Sequence, residues 1–185
     1  MEISTSSIHS NVVSDIDFEP SSGMVLIFSE IESRQNTFNN QSGRTGAYLL
    51  ATSDSTFTDN GSTFTTGNAV VGGIGYIVST DVYLNNTIVN DISAEYSGFF
   101  YMINESSLKL TNVQVSNVNT HHAPALIYNI DSEIAITESS FTNFNSTAFE
   151  VTTSHQDLDI MNSNFTNGGN DADILEGGVL KLSNS

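Results

Sequence analysis

Apolar positions recur along this chain at a long and nearly constant spacing. Ile31, Phe57, Val82, Leu108, Ile134 and Leu158 follow one another in steps of 26, 25, 26, 26 and 24 residues, and Leu182 falls 24 residues further on. Near most of these starts the apolar residues alternate, as at Val82/Leu84, Leu108/Leu110, Ile134/Ile136 and Leu158/Ile160, which is the period of a strand with one buried face. Seven residues after each of the first six starts stand Phe38, Phe64, Val89, Val115, Phe141 and Phe165. Two places further on come Asn40, Thr66, Asp91, Asn117, Asn143 and Asn167. Between the two sets lie mostly small residues, Asn36, Ser62, Thr87, Val113, Ser139 and Ser163. A third apolar run closes each unit, usually opened by Gly or Ala: GAYLLA, GIGYIVS, GFFYMI, APALIY, TAFEVT and DADIL.

A tandem hairpin would repeat every ~8–12 residues, and a helical repeat would show a 3.6-residue apolar stripe, which is not visible. The pattern predicts an all-β chain in which a three-strand coil is written about seven times, as one solenoid domain over 1–185. Parallel strands of successive coils then lie about 4.8 Å apart, so equivalent residues stack on one another. The Phe column is expected inside, and the Asn column as an amide ladder that satisfies groups the bend would bury. Ser33 and Asp59 interrupt the second apolar column in the early coils. Residues 1–22 do not register cleanly and are expected to be irregular or a partial first coil, with Gly23–Ser29 as its third strand. The competing architecture is a β-sandwich of irregular strands.

Composition narrows the partners. The 185 residues include no Cys and no Trp, and 21 acidic residues against four basic ones (Arg34, Arg44, Lys109, Lys181) give a net charge of −17. That charge excludes nucleic acid, whose phosphates need neutralising, and disfavours an anionic membrane surface. No apolar stretch of about 18 residues predicts a transmembrane helix. The opening MEISTSSIHS lacks the basic start and apolar run of a signal peptide, which fits a cytoplasmic or phage product or a piece of a longer secreted precursor. The chain holds 21 Asn and 46 Ser plus Thr, residue types that suit turns and ladders better than helix interiors.

At the level of these repeats the chain resembles the right-handed parallel β-helix of the pectin-lyase-like superfamily. Phe57-Thr-Asp-Asn60 and Gly72-Gly73-Ile74 are similar to the repeats of polymorphic outer-membrane proteins, autotransporter passengers and large secreted protist proteins. The resemblance covers roughly residues 23–185. It implies an elongated surface rod, often adhesive or structural, although many relatives cleave polysaccharides on the outward face of the first strand.

On that face Glu133 and Asp157 are expected in one column about 5 Å apart, with Asp159 beside them, a separation suited to a retaining glycosidase. Only Lys109 supplies a base nearby and only Tyr83 an outward aromatic, so a solvated acidic face is the plainer reading. GGNDADILEGG at Gly168–Gly178 is similar to one calcium-binding nonapeptide with Asp173 as ligand, but GGVLKLSNS continues it without any Asp. No other cofactor is implied. His121-His122 reads as an exposed loop.

Sequons occur at Asn40, Asn60, Asn85, Asn104, Asn145 and Asn164. Strand alternation points Asn85 and Asn164 outward, Asn60 shares the Asn85 column, and Asn104 and Asn145 fall in bends. Asn40 conflicts with the scheme, because a ladder residue cannot be both buried and glycosylated.

The last residues, GGVLKLSNS, are expected to open the first strand of another coil at Leu180 and Leu182 without a cap, so the chain is part of a longer rod or stacks on a copy of itself. No outward apolar stripe of the kind a trimeric tailspike uses is visible. The reading is a non-enzymatic structural or adhesive β-helix, extracellular or at a cell surface. It would be N-glycosylated in a eukaryote and in contact with its own copies and surface carbohydrate. The alternative is a carbohydrate-active β-helix, a tailspike-like glycosidase or a polysaccharide lyase.

Overall fold

The structure is a computed structural model and describes residues 4–9, 12–14, 17–18, 23–122, 124, 126–152, 158–168 and 180–183. Among these, no residue is helical and strand pairs form parallel ladders between successive coils. The chain winds into a parallel β-solenoid of about five turns. Ile31, Phe57, Val82, Leu108, Ile134 and Leu158 are direct partners in that order. So are Phe38, Phe64, Val89, Val115, Phe141 and Phe165. The second runs make an eight-stranded sheet, while first and third runs share a twelve-stranded one. They share it because in Leu49–Asn60 and Gly75–Asn85 a third run flows into the next first run as one strand.

Two expectations about the chain's course are refined. Before Gly23, Ser4–His9 pairs with Ser29–Arg34 and Val12–Ser14 with Thr37–Asn39, so the partial first coil carries strands in register. At the other end Leu182 is not a seventh first-strand start. Leu180 partners Phe149 and Leu182 partners Val151, which places Leu180–Ser183 in the third-strand ladder. The count of about seven coils depended on that start; DADIL, expected as the last third strand, lies outside the described residues. The slip has a simple cause: Leu182 is 31 residues beyond its partner Val151, so the intervening segment exceeds the usual period.

Burial follows the columns. Phe57, Val82, Leu108 and Ile134 are buried, and so are Phe38, Phe64, Val89, Val115 and Phe141. Ile31, Leu158 and Phe165 pack against this core from its ends. Parallel stacking brings like rings together: Phe38 and Phe64 lie 4.7 Å apart at 8°, Phe141 and Phe165 4.8 Å apart at 3°. Tyr48 meets Phe38 and Phe64 edge-on and donates its hydroxyl hydrogen to the Thr65 carbonyl at 2.6 Å. Ser33 and Asp59, the two interruptions, are both buried. They are accommodated by a polar network in which Thr87 donates to Asp59 Oδ2 at 2.6 Å, the Ser62 amide donates to the same oxygen, and Asn36 donates to Ser33.

The bends explain the small and the amide columns. Gln35, Asn86, Asn112, Glu138 and Asn162 all have φ of 50–53°, and Gly61 at the same place has 82°. Asn40, Thr66, Asp91, Asn117 and Asn143 form a second left-handed column with φ of 50–61°. Asn tolerates this conformation better than most side-chain-bearing residues, which accounts for its abundance. The second column is a ladder, with Asn117 donating to Asp91 at 2.8 Å and Asn143 to Asn117 at 3.1 Å. Its residues are exposed, however, so the expected buried ladder runs along the outside and the conflict at Asn40 disappears. Buried Ser and Thr do the interior work. Ser62, Ser106, Ser132 and Ser139 each accept, through the side-chain hydroxyl, a backbone N–H from the coil before, at 3.0–3.3 Å.

Replacing Phe141 with Ala opens a cavity between Phe99 and Phe165 and is expected to cost about 3–5 kcal/mol in urea unfolding. A loss below about 1 kcal/mol would contradict the column. Alkaline pH supplies a second check. Burial raises the Tyr48 hydroxyl above its ordinary pKa of 10, against the pull of its backbone hydrogen bonds. Burial, then the neighbours Tyr128 and Tyr76, raise Tyr101. The folded state therefore holds these protons more tightly than the unfolded chain does. Their contribution is complete below about pH 10 and is lost as pH climbs through the folded values. Melting temperature is expected to be flat from pH 8 to 9.5 and to fall beyond, with a shallower fall in Tyr101→Phe.

Candidate functional site

The outward face of the first strands carries two columns. One runs Glu30, Thr56, Asp81, Ser107, Glu133. The other runs Glu32, Thr58, Tyr83, Lys109, Ala135, Asp159. Glu133 is exposed and stacks on Ser107; its neighbour one coil on would be Asp157, which lies outside the described residues. Asp159 is exposed and partners Ala135, diagonal to Glu133. Lys109 shares the Asp159 column two coils away, with its ammonium 5.7 Å from the centre of the Tyr83 ring. Glu32 is held by Arg34. Among the described residues no group of three or more His, Asp or Glu is arranged to hold a metal ion. Asp173, the calcium candidate, lies outside them.

The six sequon asparagines differ in their surroundings. Asn40, Asn60, Asn104 and Asn164 are exposed and Asn85 is half-buried on its strand. Asn60 accepts from the Asn86 side chain at 3.1 Å, and Asn86 accepts from Asn112 at 2.8 Å, a second external amide ladder. Asn145 is the exception. Its Oδ1 accepts from the Thr120 amide at 2.9 Å and its Nδ2 donates to the Thr120 carbonyl at 2.7 Å, while Ser146 and Thr147 of the same sequon are buried. Its amide substitutes for a strand partner where the coil turns.

His121 and His122 end the strand Gln114–His122 and do not form a loop. Both are exposed, and the His122 ring stacks on Tyr96 at 4.6 Å and 21°. The strand continues past the expected bend because Ala94 and Thr120 keep pairing across the coils.

The third strands reveal a feature absent from the sequence reading. Val25, Leu50, Tyr76, Tyr101 and Tyr128 stack in one outward column. Ile27, Thr52, Val78, Ile103 and Ile130 stack in the adjacent one. Val25 is 47% and Ile27 56% exposed, and the others are half-buried. The three tyrosine rings lie 5.2 and 4.8 Å apart at 7° and 20°. An outward apolar stripe therefore exists, contrary to the expectation that none would. Tyrosines recurring at 76, 101 and 128 were the signal that could have found it.

Compared with protein-family models, with curated proteins and with solved structures, the chain matches none of them significantly. It is a parallel β-solenoid.

Asn145→Ala strips the Thr120 backbone of its partners and is expected to cost about 1–3 kcal/mol in chemical denaturation. Asn164→Ala, at an exposed strand start, is expected to stay within about 0.5 kcal/mol.

Proposed function

We propose that the chain is a non-enzymatic structural or adhesive unit of an extracellular rod or fibre, related in architecture to the pectin-lyase-like β-helices. The observation that carries this reading is the set of external ladders running from coil to coil. They comprise Asn60–Asn86–Asn112, Asp91–Asn117–Asn143 and Tyr76–Tyr101–Tyr128. Each ladder repeats one interaction over three successive coils; beyond Tyr128 the tyrosine column passes to Glu150, so what a further coil added in register extends is the parallel backbone pairing that all the coils share. Leu180–Ser183 ends the order of its sheet among the described residues and offers the edge for such an addition. Surface carbohydrate and further copies of the chain are the partners this reading implies.

In a eukaryotic source the exposed sequons at Asn40, Asn60, Asn104 and Asn164 carry N-linked glycans, followed by Asn85. Asn145 is the least suited, because its amide is engaged by Thr120. Intact mass before and after enzymatic deglycosylation, with peptide mapping, tests this. Six unmodified asparagines would point instead to a bacterial or phage rod.

Assembly is tested by sedimentation over a hundredfold concentration range. The chain is expected to associate into rods, and Leu182→Asp to remain folded but monomeric. A wild-type chain that stays monomeric throughout would overturn end-to-end stacking. Polysaccharide hydrolysis that disappears in Glu133→Gln would move the reading to a glycosidase.

A further inference from the structure

From Val25 to Ile130 the two outward columns of the third strands contain no charged residue, in a chain whose net charge is −17. One edge of this face is strongly acidic. The junctions leading from each third run to the next first strand, together with the first-strand residues beside them, expose Asp54, Asp81, Glu105, Asp131 and Glu133. Asp54, Asp81 and Glu105 line one shallow groove there. The geometry points to a docking face for a basic, amphipathic polypeptide segment. Its apolar side chains would lie over Tyr76, Tyr101, Tyr128, Val78, Ile103 and Ile130, and its Lys or Arg would lie along the acidic edge.

Charge complementarity selects this occupant. A second copy of the chain would bring two acidic edges and two large negative charges together, which the apolar contact would have to overcome. A basic segment meets attraction where the copy meets repulsion. The stacked tyrosines give it a stiff aromatic surface with little conformational entropy left to lose. This inference is independent of end-to-end assembly, which Leu182→Asp tests at a different place.

The probe is a fluorescently labelled ten-residue peptide of alternating Leu and Lys, titrated with the unglycosylated chain at physiological salt and read by anisotropy. Saturable binding is expected. Tyr101→Ser and Ile103→Ser should each weaken it by about fivefold or more, and Glu105→Gln with Asp131→Asn by about threefold to tenfold. Asp91→Asn and Glu138→Gln, acidic positions away from the face, should change it less than about twofold. Far-UV circular dichroism confirms that each variant is folded, and Glu105→Lys serves as the deciding variant if both apolar substitutions fail to fold. Three results would each overturn the inference. The remote acidic variants could weaken binding as much as those at the edge, or a peptide with Ser in place of Leu could bind equally well. The third is a chain that sediments as a laterally joined dimer dissolved by Tyr101→Ser, which would make the occupant a second copy.

Discussion

Strand residues among those described sit on their equivalents one coil away, and that stacking at about 4.8 Å governs what each column can contain. A column must be compatible with itself. Phe on Phe and Val on Val satisfy the condition by packing, and amide on amide by donating in one direction and accepting in the other. Carboxylate on carboxylate satisfies it poorly, and Glu105 beside Asp131 on the next coil is such a pair, kept at an exposed bend. Two unit charges at this spacing cost about 1 kcal/mol even in bulk water, and more near a protein surface. The acidic column of the first strands meets the condition by alternation: Glu30, Thr56, Asp81, Ser107, Glu133 place a hydroxyl residue between successive acids. The like charges are thereby separated by about two coil steps, which roughly halves their repulsion. Three of the chain's 21 acidic residues are spaced in this way.

The bends obey the same condition through the backbone. A solenoid turns its corners at equivalent places, so a left-handed residue in one coil calls for one above it. The run Gln35, Gly61, Asn86, Asn112, Glu138, Asn162 meets that demand with five side-chain-bearing residues and one glycine. Another corner is turned by Gly46, Gly72 and Ser97 in successive coils, all with positive φ. At Gly72, φ is 67° and a Cβ would stand 2.2 Å from the Gly75 carbonyl oxygen. Inside the corners the serine hydroxyls of Ser62, Ser106, Ser132 and Ser139 bind the amides of the preceding coil, so the small columns serve as backbone partners. The abundance of Asn, Ser and Thr is thus a consequence of how many corners the chain must turn.

This coupling explains which parts of the architecture could be read from the residues alone. Stacking writes itself into the chain as similarity at a fixed spacing, so the Ile31-to-Leu158 and Phe38-to-Phe165 columns were legible. Spacing reports adjacency, however, and not the side of the sheet. The Asn40-to-Asn143 column reads as an inside ladder although it is exposed, because a ladder looks the same on either face. The tyrosine column is hidden in the sequence for a related reason. Third runs such as Gly75-Tyr76-Ile77-Val78 are apolar on both faces, so alternation cannot say that Tyr76 and Val78 point outward. Leu182 falls on the first-strand spacing yet belongs to the third-strand ladder, because its coil is longer and the same period-two alternation suits any strand column. Asn145 closing on Thr120 leaves no periodic trace at all, since it happens once.

Strict self-similarity is also relaxed inside the core, where large and small residues share a column. Gly75 and Phe100 are direct partners, and a Cβ on Gly75 would stand 2.4 Å from the Phe100 ring. Gly168 makes the same room for Phe144 on the neighbouring coil. Gly67 leaves space for the Tyr48 ring, which stands edge-on against both Phe38 and Phe64 from just before the third strand. In these places one coil completes the next by differing from it. Each aromatic needs the particular glycine beside it, so the coils cannot be exchanged or shifted by one period without a clash or a void. Repetition alone would allow the rod to slip by a coil. The paired glycines and aromatics give it a single register, while the external ladders repeat one contact over three coils each.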